Sequence, residues 1–285
     1  MRAYRKLFYH TFPDSRKNRR ISPYHEPDRR MPFTLYNVPL KGKNDMDNSI
    51  YTKTETIRMS DADYSLKLSY PDIFATCMDL ASDHADILKN SERYISPLGL
   101  YWVVAKTKIR IHRRPEWNET VTESTWPTKP NRIRENRDYL FTKDGETLVE
   151  AVTEWAIVDR NVGRLTMIDR VYAEGFAFEE RELFPEGFTR FTDDFPEEPF
   201  ARYTVRSVDI DFEGHMNNVS YLRAMFGLFS RAELDAMAVK EVEIDYKSSC
   251  YEGQTLLWRK HEVDGALRLQ ASLEDGTVII LAQLK

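Results

Sequence analysis

The chain has 285 residues and a formal charge of -5, and 41% of its residues are hydrophobic and 31% charged. These values are ordinary for a soluble globular protein and exclude a wholly disordered chain. No stretch approaches the roughly 18 apolar residues of a membrane-spanning helix, so no span is predicted. The only two cysteines are Cys77 and Cys250, which excludes a disulfide framework and favours a reducing cytoplasm.

Residues 1–45 are basic and repeatedly interrupted by proline. They lack the apolar core of a secretion signal, and the prolines break the amphipathic helix that is typical of an organelle transit peptide. We therefore predict a poorly ordered leader, with Met46 as an alternative natural start. A bacterial cytoplasmic location is predicted, with a plastid as the alternative.

The first half begins with a predicted strand over residues 51–58. Ser69 and Pro71 then form a helix-start signal, and residues 72–90 carry apolar side chains at helical spacing. Strand patterns follow over 100–112 and 120–126, and a hairpin is predicted from strands over 131–142 and 146–158 joined by Lys143-Asp144-Gly145. One long helix followed by an antiparallel meander indicates an α+β unit in which the sheet wraps the helix.

The same order of elements is predicted again after an acidic, aromatic and proline-containing linker over residues 171–200. A strand is predicted over 203–210, and a helix that is apolar nearly all round, and so buried, over 219–237. Four strands complete the repeat: 239–247, 255–263, 267–273 and 278–284. The sequence therefore predicts an N-terminal domain over residues 46–170 and a C-terminal domain over residues 201–285.

The densest group of chemically capable side chains lies just before the second helix. In an extended segment alternate side chains share a face, and here that face would carry three carboxylates and an imidazole: Asp209, Asp211, Glu213 and His215. Gly214 would let the backbone approach a ligand. The helix starting near Asn217 would point free N–H groups at the same place, which suits an oxyanion. A solvated strand end with a capped helix is the alternative interpretation.

Several motifs resemble those of the plant and bacterial acyl-acyl-carrier-protein (acyl-ACP) thioesterases. The second-half signature covers residues 207–221, and a shorter Gly-His-x-Asn-Asn version also occurs in acyl-CoA thioesterases of the hot-dog fold. In the first half the matches include residues 99–103, residues 114–121 and Thr125-Trp126. The similarity extends from about residue 51 to the C-terminus. It implies an α+β, tandem (double) hot-dog fold, in which each half is an antiparallel sheet wrapped around a long central helix.

The resemblance implies hydrolysis of fatty acyl-ACP to a free fatty acid and holo-ACP, without cofactor or metal. Asp211 and His215 occupy the family's catalytic Asp and His positions. Two positions depart from the pattern, since Glu213 replaces an Asn, and Ser249 replaces the Glu that precedes Cys250. An acyl-CoA thioesterase of the same fold and a catalytically silent acyl-binding protein remain alternatives.

We assign roles to these residues as hypotheses. Asp211 is predicted to be the nucleophile or base, with His215 as its orienting and proton-handling partner. Glu213 is an auxiliary base, and neighbouring carboxylates are expected to raise one pKa toward neutrality. Cys250 is the rival nucleophile, with burial as a small core residue as its alternative. Asn217 and Asn218, at the helix start, are expected to contact substrate.

The first half lacks the Asp-Glu-Gly-His set and is expected to supply the acyl pocket. Phe74, Met78 and Trp102 are candidate lining residues, and plain core packing is the alternative for each. The expected partner is acyl carrier protein with a phosphopantetheine-linked acyl chain, while nucleic acid is not expected and a homodimer is considered. Because that carrier is acidic, basic residues of the first half are candidates for docking: Lys106, Lys108, Arg110, Arg113, Arg114, Lys129, Arg132 and Arg134.

Overall fold

The computed structural model describes residues 48–191 and 194–285, so the predicted leader and Met46 lie outside the described residues. The described chain forms one eleven-stranded sheet. Its strands are β1 (Tyr51–Thr56), β2 (Leu100–Ile111), β3 (Thr120–Pro127), β4 (Glu135–Lys143), β5 (Glu146–Asp159), β6 (Arg164–Thr166), β7 (Ala201–Thr204), β8 (Glu241–Tyr246), β9 (Thr255–Val263), β10 (Ala266–Ser272) and β11 (Val278–Leu284). The helices are α1 (Tyr70–Ile87), α2 (Glu92–Ile95), α3 (Asn218–Phe226) and α4 (Arg231–Met237).

The strand order shows that the two halves repeat one architecture. It runs β1-β3-β4-β5-β2-β8-β11-β10-β9-β7, with β6 paired to β5, so the second half has the order of the first in reverse. The halves join where β2 pairs antiparallel with β8, from Lys106 opposite Asp245 to Arg110 opposite Glu241. Helices α1 and α3 contact each other and contribute to one shared core. This arrangement confirms the predicted double hot-dog fold.

Helix α1 begins where the sequence predicted. The Ser69 side chain caps it by accepting the N–H of Asp72 at 3.1 Å, and proline occupies the first turn. Its buried face carries Ile73, Phe74 and Cys77, which pack into the shared core. Local signals therefore determine this helix, and burial of its apolar stripe stabilises it.

The long second helix predicted over residues 219–237 is wrong, because the chain leaves the helix at Gly227. Helix α3 ends at Phe226, and a new helix, α4, starts after Ser230. Ser230 and Glu233 form a reciprocal capping box, with the Ser230 N–H donating to the Glu233 carboxylate at 2.7 Å. This cap satisfies backbone donors at a new helix start and so favours the break.

The strand predicted over residues 203–210 is also shorter than expected. Strand β7 ends at Thr204, and a single 3-10 turn follows over Ser207–Asp209. The Asp209 carboxylate accepts the Arg206 N–H at 2.8 Å and the Tyr203 hydroxyl at 2.9 Å. A short acidic side chain that bonds its own backbone favours a turn over a ladder.

The segment between the halves contains no helix or strand over residues 172–191 and 194–200, and it lies against the sheet. The Trp126 indole N–H donates to the Arg181 carbonyl at 3.0 Å, and the Leu183 N–H donates to the Asp138 carboxylate at 3.0 Å. This agrees with a connecting segment. The domain boundaries of residues 170 and 201 stay predictions.

A buried carboxyl group in the first half makes stability depend on pH. The Glu123 side chain on β3 is 2% exposed, and burial raises its pKa to about 7, with Lys53 opposing the shift. The unfolded value is about 4.3, so the folded state holds this proton more tightly. Relative to higher pH, the folded state is therefore stabilised below the unfolded pKa, where the carboxyl is protonated. That stabilisation is lost as the pH rises through the folded pKa.

We therefore expect Glu123→Gln to raise the melting temperature relative to wild type more at about pH 8 than at about pH 5, because the amide carries no charge. Thermal denaturation across that range measures the difference. Glu262→Gln, at an exposed position of β9, is the matched control and should show no such trend. A Glu123→Gln effect that stays constant with pH would contradict the assignment.

Candidate active site

Three of the candidate catalytic residues, Asp211, Glu213 and His215, lie on a tight turn between β7 and α3. Ile210 and Met216 form an antiparallel bridge across it. The Asp211 N–H donates to the His215 carbonyl at 2.9 Å, and the Gly214 N–H donates to the Asp211 carbonyl at 3.0 Å. The predicted extended segment with one shared face is therefore wrong. The turn brings Asp211 and His215 to the two sides of its base instead.

The Asp211 carboxylate helps to hold this turn. Its Oδ1 atom accepts the N–H of Glu213 at 2.9 Å and that of His215 at 3.3 Å. The His215 ring lies against the Tyr251 ring, with 5.1 Å between centroids. Asp209, in contrast, is 6% exposed and is used by the preceding 3-10 turn. The sequence pattern therefore grouped Asp209, which has a structural role, with the candidate catalytic residues of the turn.

The start of α3 offers a hydrogen-bond donor beside the turn. Asn217 is the N-cap, as predicted, and its side chain accepts the Val219 N–H at 2.8 Å. The N–H groups of Ser220 and Tyr221 reach the Asn217 carbonyl at 2.9 and 3.3 Å. In the part of the chain that the structure describes, the Asn218 N–H is the first-turn donor without an acceptor. This donor is suited to an oxyanion.

Glu213 is engaged by an arginine from the first half. The Arg160 guanidinium donates to both carboxylate oxygens, at 2.5 and 2.6 Å, and also reaches Glu92 at 3.2 Å. It lies over the Tyr101 ring at 4.4 Å. We call Glu92, Arg160 and Glu213 the arginine bridge. Its hydrogen bonds lower the pKa of Glu213, which is the opposite of the rise expected from neighbouring carboxylates.

Cys250 is fully buried beneath the turn. Its thiol accepts a hydrogen bond from the Tyr221 hydroxyl at 3.4 Å and contacts the Met216 sulfur at 3.6 Å. Burial raises the pKa of the thiol, which disfavours the thiolate that a nucleophile needs. These contacts favour the core role over the nucleophilic one.

A second copy of the turn lies in the first half, where sequence reasoning did not find it. Ala62 and Leu68 form the bridge, and the Asp63 N–H donates to the Lys67 carbonyl at 2.9 Å. Ser69 caps α1 as Asn217 caps α3. Each of these first-half residues lies 148 positions before the matching residue of the second-half turn. The available signal was the equal spacing between an aspartate and a helix cap in both halves.

The two turns differ in what surrounds their aspartates. Arg114 donates to the Asp63 carboxylate and, at 2.9 Å, to the Ser65 hydroxyl. Arg114 is the third residue after β2, and the third residue after β8 is Ser249. The serine side chain is too short to make such a contact. The first-half aspartate is therefore neutralised. Within the described residues the hydrogen bonds to the Asp211 carboxylate come from backbone N–H groups.

Comparison with known proteins places the chain in a family. Residues 48–176 match the acyl-ACP thioesterase N-terminal domain, and residues 193–283 match the acyl-ACP thioesterase C-terminal domain. The chain belongs to the acyl-ACP thioesterase family. It is 30% identical over 169 residues to oleoyl-acyl carrier protein thioesterase 2, chloroplastic, of Arabidopsis thaliana, covering 54% of this chain and 46% of that one. The chain spans about half the length of the curated relatives it matches.

Solved structures establish the same fold. An acyl-ACP thioesterase from Bacteroides thetaiotaomicron superposes with a TM-score of 0.72 at 20% identity, covering 84% of this chain and 98% of that chain. The 12:0-ACP thioesterase from Umbellularia californica gives a TM-score of 0.67 at 17% identity, covering 83% and 96%. At these identities the likeness concerns the fold.

The two departures that the resemblance predicts lie on different segments, one on the turn and one after β8. Glu213, in place of Asn, is held in the arginine bridge. Ser249, in place of Glu, is exposed next to the buried Cys250. The carboxylate gained at Glu213 therefore does not occupy the position of the one absent at Ser249.

The candidate pocket residues of this family member fall into two apolar clusters. Phe74 is fully buried in the shared core, and Met78 packs against the same core. Trp102 packs against a second cluster, and its indole N–H donates to the Asn90 carbonyl at 2.8 Å. Trp155 links the clusters, since it contacts the shared core and lies edge-on to Trp102 at 6.1 Å. The structure brings Phe74 and Met78 together and sets Trp102 apart.

The basic residues predicted to dock a carrier protein are largely paired with acids. Lys108 is buried and lies 3.2 Å from Glu186, which also pairs with Arg110 at 2.9 Å. Further carboxylate pairs involve Arg113, Arg114 and Arg134. These pairs reduce the net positive charge of the predicted docking surface.

Residues 48–191 and 194–285 include no helix that is both long and apolar enough to cross a membrane.

Proposed function

We propose that this chain hydrolyses fatty acyl-ACP thioesters to a free fatty acid and holo-ACP. The observation that carries the proposal is the second-half turn, where the Asp211 carboxylate and His215 lie at the start of α3. Membership of the family and relatives named for oleoyl- and palmitoyl-acyl carrier protein support the substrate class. The acyl carrier protein as partner, a homodimer and a cytoplasmic location remain proposals, and the relatives' names place those proteins in the chloroplast.

In the proposed mechanism Asp211 activates a water molecule that attacks the thioester carbonyl, or Asp211 attacks first and forms an acyl-enzyme anhydride that water then hydrolyses. In either route the Asn218 N–H stabilises the oxyanion, the carbon–sulfur bond breaks and the thiolate leaves. The proton taken from the water passes through His215 to the thiolate. General base catalysis contributes ~10²–10⁴-fold, and one oxyanion donor contributes ~10²–10³-fold. Asn217 acts by capping α3 and so positions that donor.

We propose a positioning role for Glu213 in place of the auxiliary-base role predicted from sequence. A carboxylate that accepts two guanidinium hydrogen bonds is a weak base, and its lowered pKa keeps it ionised at neutral pH. The arginine bridge connects the turn to the first half through Arg160. Glu213 thereby fixes where Asp211 and His215 lie relative to a bound acyl chain.

The test is thiol release from a panel of acyl-ACPs and acyl-CoAs, detected colorimetrically, with the Asp211→Asn variant as the blank. We expect a higher kcat/KM for acyl-ACP than for the matching acyl-CoA. Equal or faster release from acyl-CoA would favour the acyl-CoA thioesterase alternative. Binding of acyl-ACP without thiol release would favour a silent acyl-binding protein.

We further propose that the first half sets the acyl-chain preference. Met78 is half-buried against the core that contains Phe74, so a larger side chain there removes space next to α1. Each buried CH₂ is worth about 0.8 kcal/mol, so Met78→Trp is expected to shift preference toward shorter chains. Competition between acyl-ACPs of different length measures the shift.

Met59→Trp is the matched control, because Met59 is 52% exposed. Its acyl-chain profile should equal that of wild type. An unchanged profile in Met78→Trp, with thermal stability retained, would place the pocket elsewhere.

A further inference from the structure

We propose that a cavity at the first-half turn is a binding site for a phosphate-bearing ligand. The cavity has a volume of about 270 Å³ and lies between the first-half turn, the end of β2 and the end of α4. This volume lies just below the roughly 300–1,000 Å³ typical of small-ligand pockets. The polar residues that line it include Ser65, Lys67, Arg113, Arg114, Asp235 and Lys240.

The internal repeat relates the first-half turn to the second-half turn, so the cavity is the first-half counterpart of the candidate active site. The second-half site combines its own turn with Arg160, Glu92 and Tyr101 of the first half. The cavity in turn combines the first-half turn with α4 and the segment 238–240 that precedes β8 in the second half. Both sites therefore lie where a turn of one half meets the other half.

Three replacements distinguish the first-half turn from the second-half turn. Lys67 stands where the second half has His215, and Ser65 stands where it has Glu213. Arg114 stands where it has Ser249, and its guanidinium stacks on the Tyr70 ring at 4.5 Å. The aspartate of the turn is retained as Asp63, and it already accepts the Ser65 hydroxyl at 2.6 Å and the Arg114 guanidinium. Within the described residues the replacement that leaves a donor without a carboxylate partner is therefore Lys67. An ammonium group binds phosphate oxygens by charge-assisted hydrogen bonds.

Within residues 48–191 and 194–285, two of the cations at the cavity form no ion pair with a carboxylate. Arg113 is paired with Glu119 and Glu146, and Arg114 is paired with Asp63. Among the described residues Lys67 has no carboxylate within ion-pair distance, and the Lys240 ammonium reaches only the His112 carbonyl, at 3.5 Å.

One carboxylate, Asp235, also lines the cavity. It already accepts the Tyr64 hydroxyl at 2.9 Å and lies 3.9 Å from the Arg231 guanidinium. The two lysines therefore leave a positive excess that an anion would neutralise.

Phosphate esters of this kind occur in the phosphopantetheine arm of a carrier protein and in free coenzyme A. The proposal does not depend on the hydrolysis proposed for the second half, because binding is tested without turnover. The full chain carrying Asp211→Asn is titrated calorimetrically with inorganic pyrophosphate, coenzyme A and holo-ACP. We expect saturable binding of pyrophosphate and stronger binding of at least one of the two larger ligands, which identifies the source of the phosphate.

The deciding variant is Lys67→Glu combined with Lys240→Glu, which should weaken pyrophosphate binding by about tenfold or more. The matched control, Lys89→Glu with Arg164→Glu, makes the same change in net charge at two exposed basic residues elsewhere and should bind as before. If the double variant does not fold, Lys240→Gln alone replaces it as the test. A several-fold weakening of pyrophosphate binding is then expected. Absence of saturable pyrophosphate binding, or equal weakening in the control, would overturn the proposal.

Discussion

Asp211→Asn and His215→Ala are each expected to lower kcat for acyl-ACP hydrolysis by on the order of 10²-fold or more. The reason is that, within the described residues, hydrogen bonds reach only the Oδ1 atom of Asp211 and come from two backbone N–H groups, which leaves Oδ2 available to react. His215 lies on the same turn next to Tyr251 and can exchange a proton with solvent because it is only half-buried. Steady-state kinetics on folded variants, checked by thermal denaturation, measure the loss.

Asp63→Asn is the matched control for this experiment. Asp63 has the same place on the first-half turn, but it is neutralised by Arg114. We expect this variant to lose stability and keep kcat. A loss of kcat equal to that of Asp211→Asn would assign chemistry to both turns.

Cys250→Ala separates the carboxylate mechanism from the thiol mechanism. The thiol is buried and bonded to Tyr221, so its removal should cost roughly 1 kcal/mol of stability and leave a substantial fraction of activity. Should this variant be inactive while folded, and Asp211→Asn remain active, a Cys-His mechanism replaces the one proposed.

Arg160→Glu is expected to lower kcat/KM by about tenfold, equivalent to ~1.4 kcal/mol, because it breaks the arginine bridge and places a third carboxylate beside Glu92 and Glu213. The expected loss is modest because the Arg160 side chain is 37% exposed and solvent screens its ion pairs. The double variant Arg160→Glu with Glu213→Arg restores opposite charges and should recover most of the loss. Kinetics and melting temperatures of the single and double variants measure the coupling.

Glu213→Gln distinguishes positioning from base catalysis at the same site. The amide can still accept a hydrogen bond from Arg160, so a positioning role predicts nearly full kcat and an unchanged pH profile. A loss comparable to that of Asp211→Asn, with the acidic limb of the pH profile altered, would show instead that Glu213 is a base.

Much of the fold was determined by local sequence signals. Ser69 and Pro71 mark the start of α1, and the bounds of β9 and β11 agree with the predicted strands. The turn at Asp264-Gly265 has positive φ at both residues, 50° and 72°, as a two-residue hairpin turn requires. Such features depend on capping, side-chain period and turn chemistry within a few residues. The family resemblance also predicted that two such halves form a double hot-dog fold.

The site depended on contacts that only the tertiary structure provides. Arg160 reaches Glu213 across 53 positions of the chain, and Arg114 reaches Asp63 across 51. No periodicity in the sequence indicates that Arg160 contacts the second-half turn, or that Arg114 neutralises the aspartate of the first-half turn. Likewise, the alternation rule placed Asp209 and Asp211 on one face, whereas side-chain-to-backbone hydrogen bonds fold that segment into a turn. The sequence by itself determined which residue types are present, and long-range ion pairs and burial decided which carboxylates remain free to react.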